Sequence, residues 1–294
     1  EPVGEFYGCV TLAQLLRRSE SGELMLHPAE VADWPDFKLR CTAGVMAAYP
    51  ALCQGKLAED EQLLRQAIRT AAALKCNLLD ANLYRSVPEP EFLAPAEVEA
   101  FTRVKPYADS RGVRFRFFFG ANVGSDKRAQ ADPRFRDVPR IREWRMSWSH
   151  DELIDESCRQ VQELARQFGD SADYGFHMPD VHEGGWANRS ERCRARWADD
   201  RAGADAHFAG KFHAVIKAVS PASRVEFVFY PYCFNLDYPG NVRTRDYFQK
   251  LSSLLPEDML IARREGSKEE YDSWRRFIRQ PLSVWWSQET FWGS

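Results

Sequence analysis

Seven short apolar runs alternating with amphipathic helical patterns constrain this chain more than any other feature. The runs are read as strands at 37–42, 77–83, 113–123, 174–178, 225–234, 259–263 and 282–286. Helices are read at 7–17, 59–74, 96–110, 151–168, 204–219, 245–255 and 268–279, the second from the spacing of Leu63, Leu64, Ala67, Ile68, Ala71 and Leu74. Strands that alternate with helices imply a parallel sheet covered by those helices. Eight such units close a (β/α)8 barrel of about 250 residues, so the expected class is α/β, a truncated TIM-type barrel whose last unit is either missing or supplied by a stretch without a recognisable pattern. The rival is an open doubly wound sheet, but no Gly-rich phosphate fingerprint follows any strand.

Local signals refine the boundaries. Pro95 begins one helix and Gly112 ends it; Ser149-His150-Asp151-Glu152 reads as a capping box, and Gly169 closes the helix it starts. The stretch 124–148 is polar and Arg-rich, a long connection of the kind that covers an active-site mouth or is disordered.

Composition narrows the partners. A net charge of -3 argues against a broad nucleic-acid face, and no apolar run approaches the ~18 residues of a membrane span. Aromatics make up 13% of the chain and include nine Trp, as suits stacking on sugars, although barrel cores also use aromatics. Seven Cys show no CxxC pair and no zinc spacing, so they are read as structural thiols with no metal and no cofactor implied. The opening Glu1-Pro2-Val3-Gly4 carries neither Met nor a leader pattern and is read as the cut end of a longer protein, which leaves the compartment open.

The stretch Tyr174-Gly175-Phe176-His177-Met178-Pro179-Asp180-Val181-His182-Glu183-Gly184-Gly185 concentrates the chemistry. Its first five residues read as a buried strand, which Pro179 terminates. Asp180, His182 and Glu183 follow at the strand's end, where a barrel presents groups to substrate. The plainer reading is a surface loop whose carboxylates only solvate it. His177, inside the strand, reads as a hydrogen-bonded core group, and His207 and His213 do not have metal-site spacing.

Further motifs resemble the β-hexosaminidase and O-GlcNAcase-like glycoside hydrolases of families 20 and 84. Gly4-Glu5-Phe6-Tyr7-Gly8-Cys9-Val10-Thr11-Leu12-Ala13-Gln14-Leu15-Leu16 is similar to the helix that ends their small α/β domain. Val31-Ala32-Asp33-Trp34-Pro35-Asp36-Phe37-Lys38-Leu39-Arg40 resembles their entry into the first barrel strand, Lys75-Cys76-Asn77 the start of the second, and Tyr107 to Val113 the approach to the third. The resemblance implies residues 1–30 as the end of an α/β domain and 31–294 as the barrel. It also implies cleavage of N-acetylhexosamine-containing glycans without a cofactor, by two adjacent acids after the fourth strand. Here Asp180 inherits the general-acid role, while Pro179 stands where the other acid would be, leaving Glu183 or His182 to assist. Tyr232 falls on a family tyrosine segment, and Trp285 survives from a Trp-Asp-Asn segment whose Asp is absent.

Other strand ends supply binding candidates. Asp80 and Asn82 at the end of the second strand and Asn122 at the end of the third either meet substrate or cap turns. Arg263, Arg264 and Glu265 either form an ion-pair network or bind an anionic sugar. Of Trp285 and Trp286, neighbours on a strand, one would line the site and the other pack beneath a helix. The expected activity is thus a glycosidase with a carbohydrate substrate, the rivals being a non-catalytic carbohydrate-binding barrel and an inverting hydrolase of uronic sugars.

Overall fold

The computed structural model describes residues 2–26, 28–32, 38–42, 61–87, 95–141, 144–178, 182–229, 242–264, 272 and 274–285. The chain divides into two compact units, Glu1–Leu83 with Leu93–Arg116, and Tyr84–Phe92 with Phe117–Ser294.

In the first unit the Pro2–Leu15 helix leads into a hairpin of β1 (Leu16–Arg18) and β2 (Leu24–Leu26) that the helical reading of 7–17 did not anticipate. Gly22 takes φ +85°, a left-handed conformation natural to glycine, and the Gly22 N–H bonds to the Ser19 carbonyl at 3.0 Å, closing the turn. The strand read at 37–42 is confined to β3 (Cys41–Thr42), which pairs in parallel with β4 (Leu78–Val87), Cys41 opposite Leu78. Asn77 explains why the chain is tied here. Its side-chain amide donates to the Lys38 carbonyl at 2.7 Å and accepts from the Arg40 N–H at 2.8 Å. The Glu61–Ala73 helix buries Leu64, Ala67, Ile68, Ala71 and Ala72, the apolar stripe its spacing predicts. The Pro95–Asp109 helix continues through Pro106, and Gly112 at φ +64° ends its last turn.

The second unit carries β9 (Ala172–His177), β10 (Val225–Val228), β11 (Leu260–Arg264) and β12 (Leu282–Trp285), paired in parallel in that order. With β5 (Arg114–Ala121), which has residues in both units, the seven strands follow the order β12-β11-β10-β9-β5-β4-β3. Each sequence-predicted strand is thus present, with described helices between successive strands as far as β11, as a βα alternation requires; the helix read at 268–279 lies partly outside the described residues. The arrangement is a mixed α/β fold with a parallel sheet, compatible with a truncated TIM-type barrel.

Alternation decides which side chains meet the helices. Tyr174, Phe176, Val225 and Phe227 occupy registered positions on one face. Phe176 stacks on Phe227 at 4.8 Å and meets Phe212 of the Arg201–Lys217 helix at 4.9 Å. The opposite face carries Gly175 and Glu226 in register. A Cβ on Gly175 would lie 2.3 Å from the Phe118 ring, so this strand needs a residue without a side chain at that point. Glu226, buried, accepts the Ser283 hydroxyl across the intervening β11.

The Asp151–Phe168 helix buries Leu153, Ile154, Cys158, Val161, Leu164 and Phe168 on its amphipathic stripe. The expected capping box is not formed: His150 is the cap residue and makes no side-chain cap hydrogen bond. Ser147, one turn earlier, supplies the turn's oxygen to the Ser149 and His150 N–H groups at 3.2 and 3.3 Å. The 124–148 connection is ordered rather than structureless. β6 (Gly124–Ser125), β8 (Trp144–Arg145) and β7 (Arg140–Ile141) make a small antiparallel sheet, with Phe135, Val138, Met146 and Trp148 buried beside it. Its polar composition reflects ion pairs such as Arg145 to Asp126 at 2.8 Å.

The described cysteines are free thiols, but they do not share one environment: Cys158 and Cys193 are buried, and Cys9 and Cys41 are exposed. Burial pushes the Cys158 thiol up to about 12. Since only the thiolate is nucleophilic, native-state alkylation at pH 8 is expected to label Cys9 and to spare Cys158 until the protein is unfolded, as read by peptide mass.

Candidate functional site

The C-terminal ends of parallel strands are where this kind of sheet presents its chemistry. The register places His177, Val228, Ala262 and Ser283 level with one another across β9 to β12, and the Met178 N–H extends the ladder to the Val228 carbonyl at 3.0 Å. His177 is buried with its ring edge-on to Phe118, 6.0 Å between centroids, in keeping with a core role. Arg263 and Val284, and Arg264 and Trp285, occupy paired backbone positions where β11 and β12 end.

Beyond β9, Asp180 lies outside the described residues, as do Tyr232, Glu265 and Trp286. His182 and Glu183 lie on a 3-10 turn spanning His182–Asn188. That turn is anchored on its far side. Gly185 has φ +74°, and a Cβ there would come 2.1 Å from Ile141 Cδ1 of β7, so only glycine fits between the two segments. Trp186, next along, packs edge-to-face on Trp148 at 5.2 Å, with the Arg189 guanidinium 4.3 Å over its ring.

Two of the described binding candidates, Asp80 and Asn122, hold partners within the fold. β4 runs on to Val87, because no chain breaker intervenes before Pro88, so Asp80 and Asn82 lie within the strand instead of at its end. Asp80 is buried and receives both arms of Arg116, Nε at 2.6 Å and Nη2 at 2.9 Å. This is a bidentate pair, the strongest geometry available to a carboxylate and a guanidinium. Asn122, just past β5, accepts the Gly124 N–H at 3.0 Å and donates to the Gly120 carbonyl at 3.3 Å, which is the turn-capping alternative.

Among the described residues, no group of three or more His, Cys, Asp or Glu side chains could hold a metal ion. His207 bonds Asp151 and His213 bonds Asp258, each at 2.8 Å. Burial opposes ionisation of Asp151, but hydrogen bonds from His207 and Arg196 and the charge of Lys211 outweigh it and hold that carboxyl well below its ordinary range.

Sequence reasoning missed a buried polar centre. Asp205 accepts Trp148 Nε1–H at 2.6 Å, the Tyr247 hydroxyl at 2.7 Å and Arg201 Nε–H at 3.3 Å, and all four residues are buried. Asp205 sits among alanines on a helix that is buried almost all round, so periodicity gave no sign of it. The one available signal was Asp200, whose side chain caps this helix by accepting the Gly203 N–H at 2.9 Å.

No protein-family model matches the chain, and no curated protein matches it. Among solved structures, it is similar to CpGH84B, whose name places it in glycoside hydrolase family 84, with 15% sequence identity and a TM-score of 0.56. The similarity covers 97% of this chain and 44% of that one, so the chain spans less than half of its structural relative's length. At that identity the likeness is one of fold. Among the described residues no helix is long and apolar enough to cross a membrane.

Proposed function

We propose that this chain is the barrel of a glycoside hydrolase acting on N-acetylhexosamine-containing glycans, with residues 1–30 ending a small α/β domain and 31–294 contributing to a (β/α)8-type barrel. The observation that carries the reading is the fold likeness to CpGH84B together with a parallel strand, β9, that leads into the segment bearing Asp180, His182 and Glu183. In this reading Asp180 is the general acid, and Glu183 or His182 supplies the second group that Pro179 cannot. Asn82, Tyr232, Arg263, Glu265, Trp285 and Trp286 contact the sugar, with the Trp residues offering stacking faces. Asp80 and Asn122 are assigned to the fold, given the partners they already hold.

The test is turnover of a panel of aryl N-acetylhexosaminides and uronides by the wild-type protein and by Asp180→Asn. Loss of a proton donor is expected to lower kcat/KM by roughly 10²–10⁴-fold on the hexosaminides while the circular dichroism spectrum is retained. Cleavage of uronides alone would replace the hexosaminide reading with the acidic-sugar one. A second reading, a carbohydrate-binding barrel without catalysis, draws on Pro179 standing beside Asp180. Sugar binding without turnover, unaltered in Asp180→Asn, would establish it.

A further inference from the structure

Asp205 lies far from the candidate acids in sequence, yet its contacts lead to the turn that carries two of them. The carboxylate is 1% exposed, where an ionised group persists only if donors surround it. Trp148 Nε1, the Tyr247 hydroxyl and Arg201 Nε provide them. A charge-assisted bond of 2.6 Å leaves the Trp148 ring a single orientation, and its backbone is pinned as well, its carbonyl accepting Trp197 Nε1–H at 2.9 Å. The Trp148 ring is in turn the wall against which Trp186 packs, and Trp186 belongs to the His182–Asn188 turn. Tyr247 brings in the Val242–Leu254 helix, so one carboxylate links the connections that follow β5, β9 and β10.

We propose that Asp205 is a positioning residue: through Trp148 and Trp186 it holds the His182–Asn188 turn in place, and with it the groups that assist catalysis. This rests on the glycosidase reading for its consequence, though not for its geometry. The 124–148 connection, on this view, works as a clamp, gripping the turn at Trp186 through Trp148 and at Gly185 through Ile141.

The experiment is hydrogen exchange followed by mass spectrometry on Asp205→Asn, on Trp148→Phe and on the double variant, with hexosaminide kinetics alongside. Trp148→Phe keeps an aromatic ring but loses the N–H donor together with part of the indole, so it remains informative should Asp205→Asn fail to fold, and comparison with the double variant separates the lost bond from the lost packing. Loss of this buried bond is expected to speed exchange of peptides covering 182–188 by about tenfold while β9, β10 and β11 keep their protection. The double variant should add little to either single one, because both break the same link. In the kinetics, kcat should fall and KM hold. Unchanged exchange at 182–188 in Trp148→Phe, or acceleration spread evenly over β9 to β11, overturns the proposal. A wild-type protein inert towards every glycoside, with exchange at 182–188 still responding, retains the clamp and removes the glycosidase reading. Turnover of hexosaminides with an unresponsive turn does the reverse.

Discussion

Replacing Asp80 by Ala is expected to lower the unfolding free energy by about 3–5 kcal/mol, read from the urea midpoint at constant slope. The reason is what the substitution leaves behind. Arg116 is buried and directs two N–H donors at the carboxylate, so its removal strands a cation in a low-dielectric interior. Desolvating the pair is itself costly, and the intact pair therefore contributes less than its breaking costs. A double variant, Asp80→Leu with Arg116→Met, should recover much of the loss because it removes both charges together. This outcome would settle a choice left open by sequence, where Asp80 was a candidate to face a sugar across the barrel. If Asp80→Ala instead left the midpoint in place and abolished sugar binding, the carboxylate would belong to the site and the pairing would be secondary.

Phe176→Ala is expected to cost about as much, roughly 3–5 kcal/mol, by a different route. The ring is fully buried between β10 and the Arg201–Lys217 helix, against Phe227, Phe212 and Phe119. Truncation removes apolar area from a close-packed interior and opens a cavity that rigid aromatic neighbours cannot fill by collapsing. The change should appear as a lower midpoint in the same urea experiment. Phe176→Leu, which keeps much of the volume, should lose distinctly less. Equal losses for the two substitutions would mean that the ring's contacts, and not the cavity, set the cost.

Legibility in the sequence followed the range of the forces involved. Strands and helices were visible because burial against a layer imposes a period of two or 3.6 on neighbouring residues, as in the stripe of the Asp151–Phe168 helix and the alternation of Tyr174 and Phe176 with Gly175. The 16–26 hairpin was missed because its strands are three residues each, too short to show a period. The small sheet in 124–148 was missed for the same reason, and because a polar, Arg-rich stretch reads as a connection when charges such as Arg145 and Asp126 are in fact paired with one another. Asn77 was legible as a motif, but its purpose, holding the backbone at Lys38 and Arg40, needed both segments in view.

By itself, then, the sequence determined the βα alternation, the parallel order it implies, and the concentration of acid/base residues after one buried strand, since each is written in consecutive residues. The tertiary structure decided the partners: that Arg116 claims Asp80, that Asn122 is occupied by its own turn, and that Asp205 gathers Trp148 and Tyr247. A carboxylate reads the same in sequence whether it faces substrate or a buried cation. Its role follows from which donors reach it, and here those donors lie 36, 57 and 42 residues away along the chain.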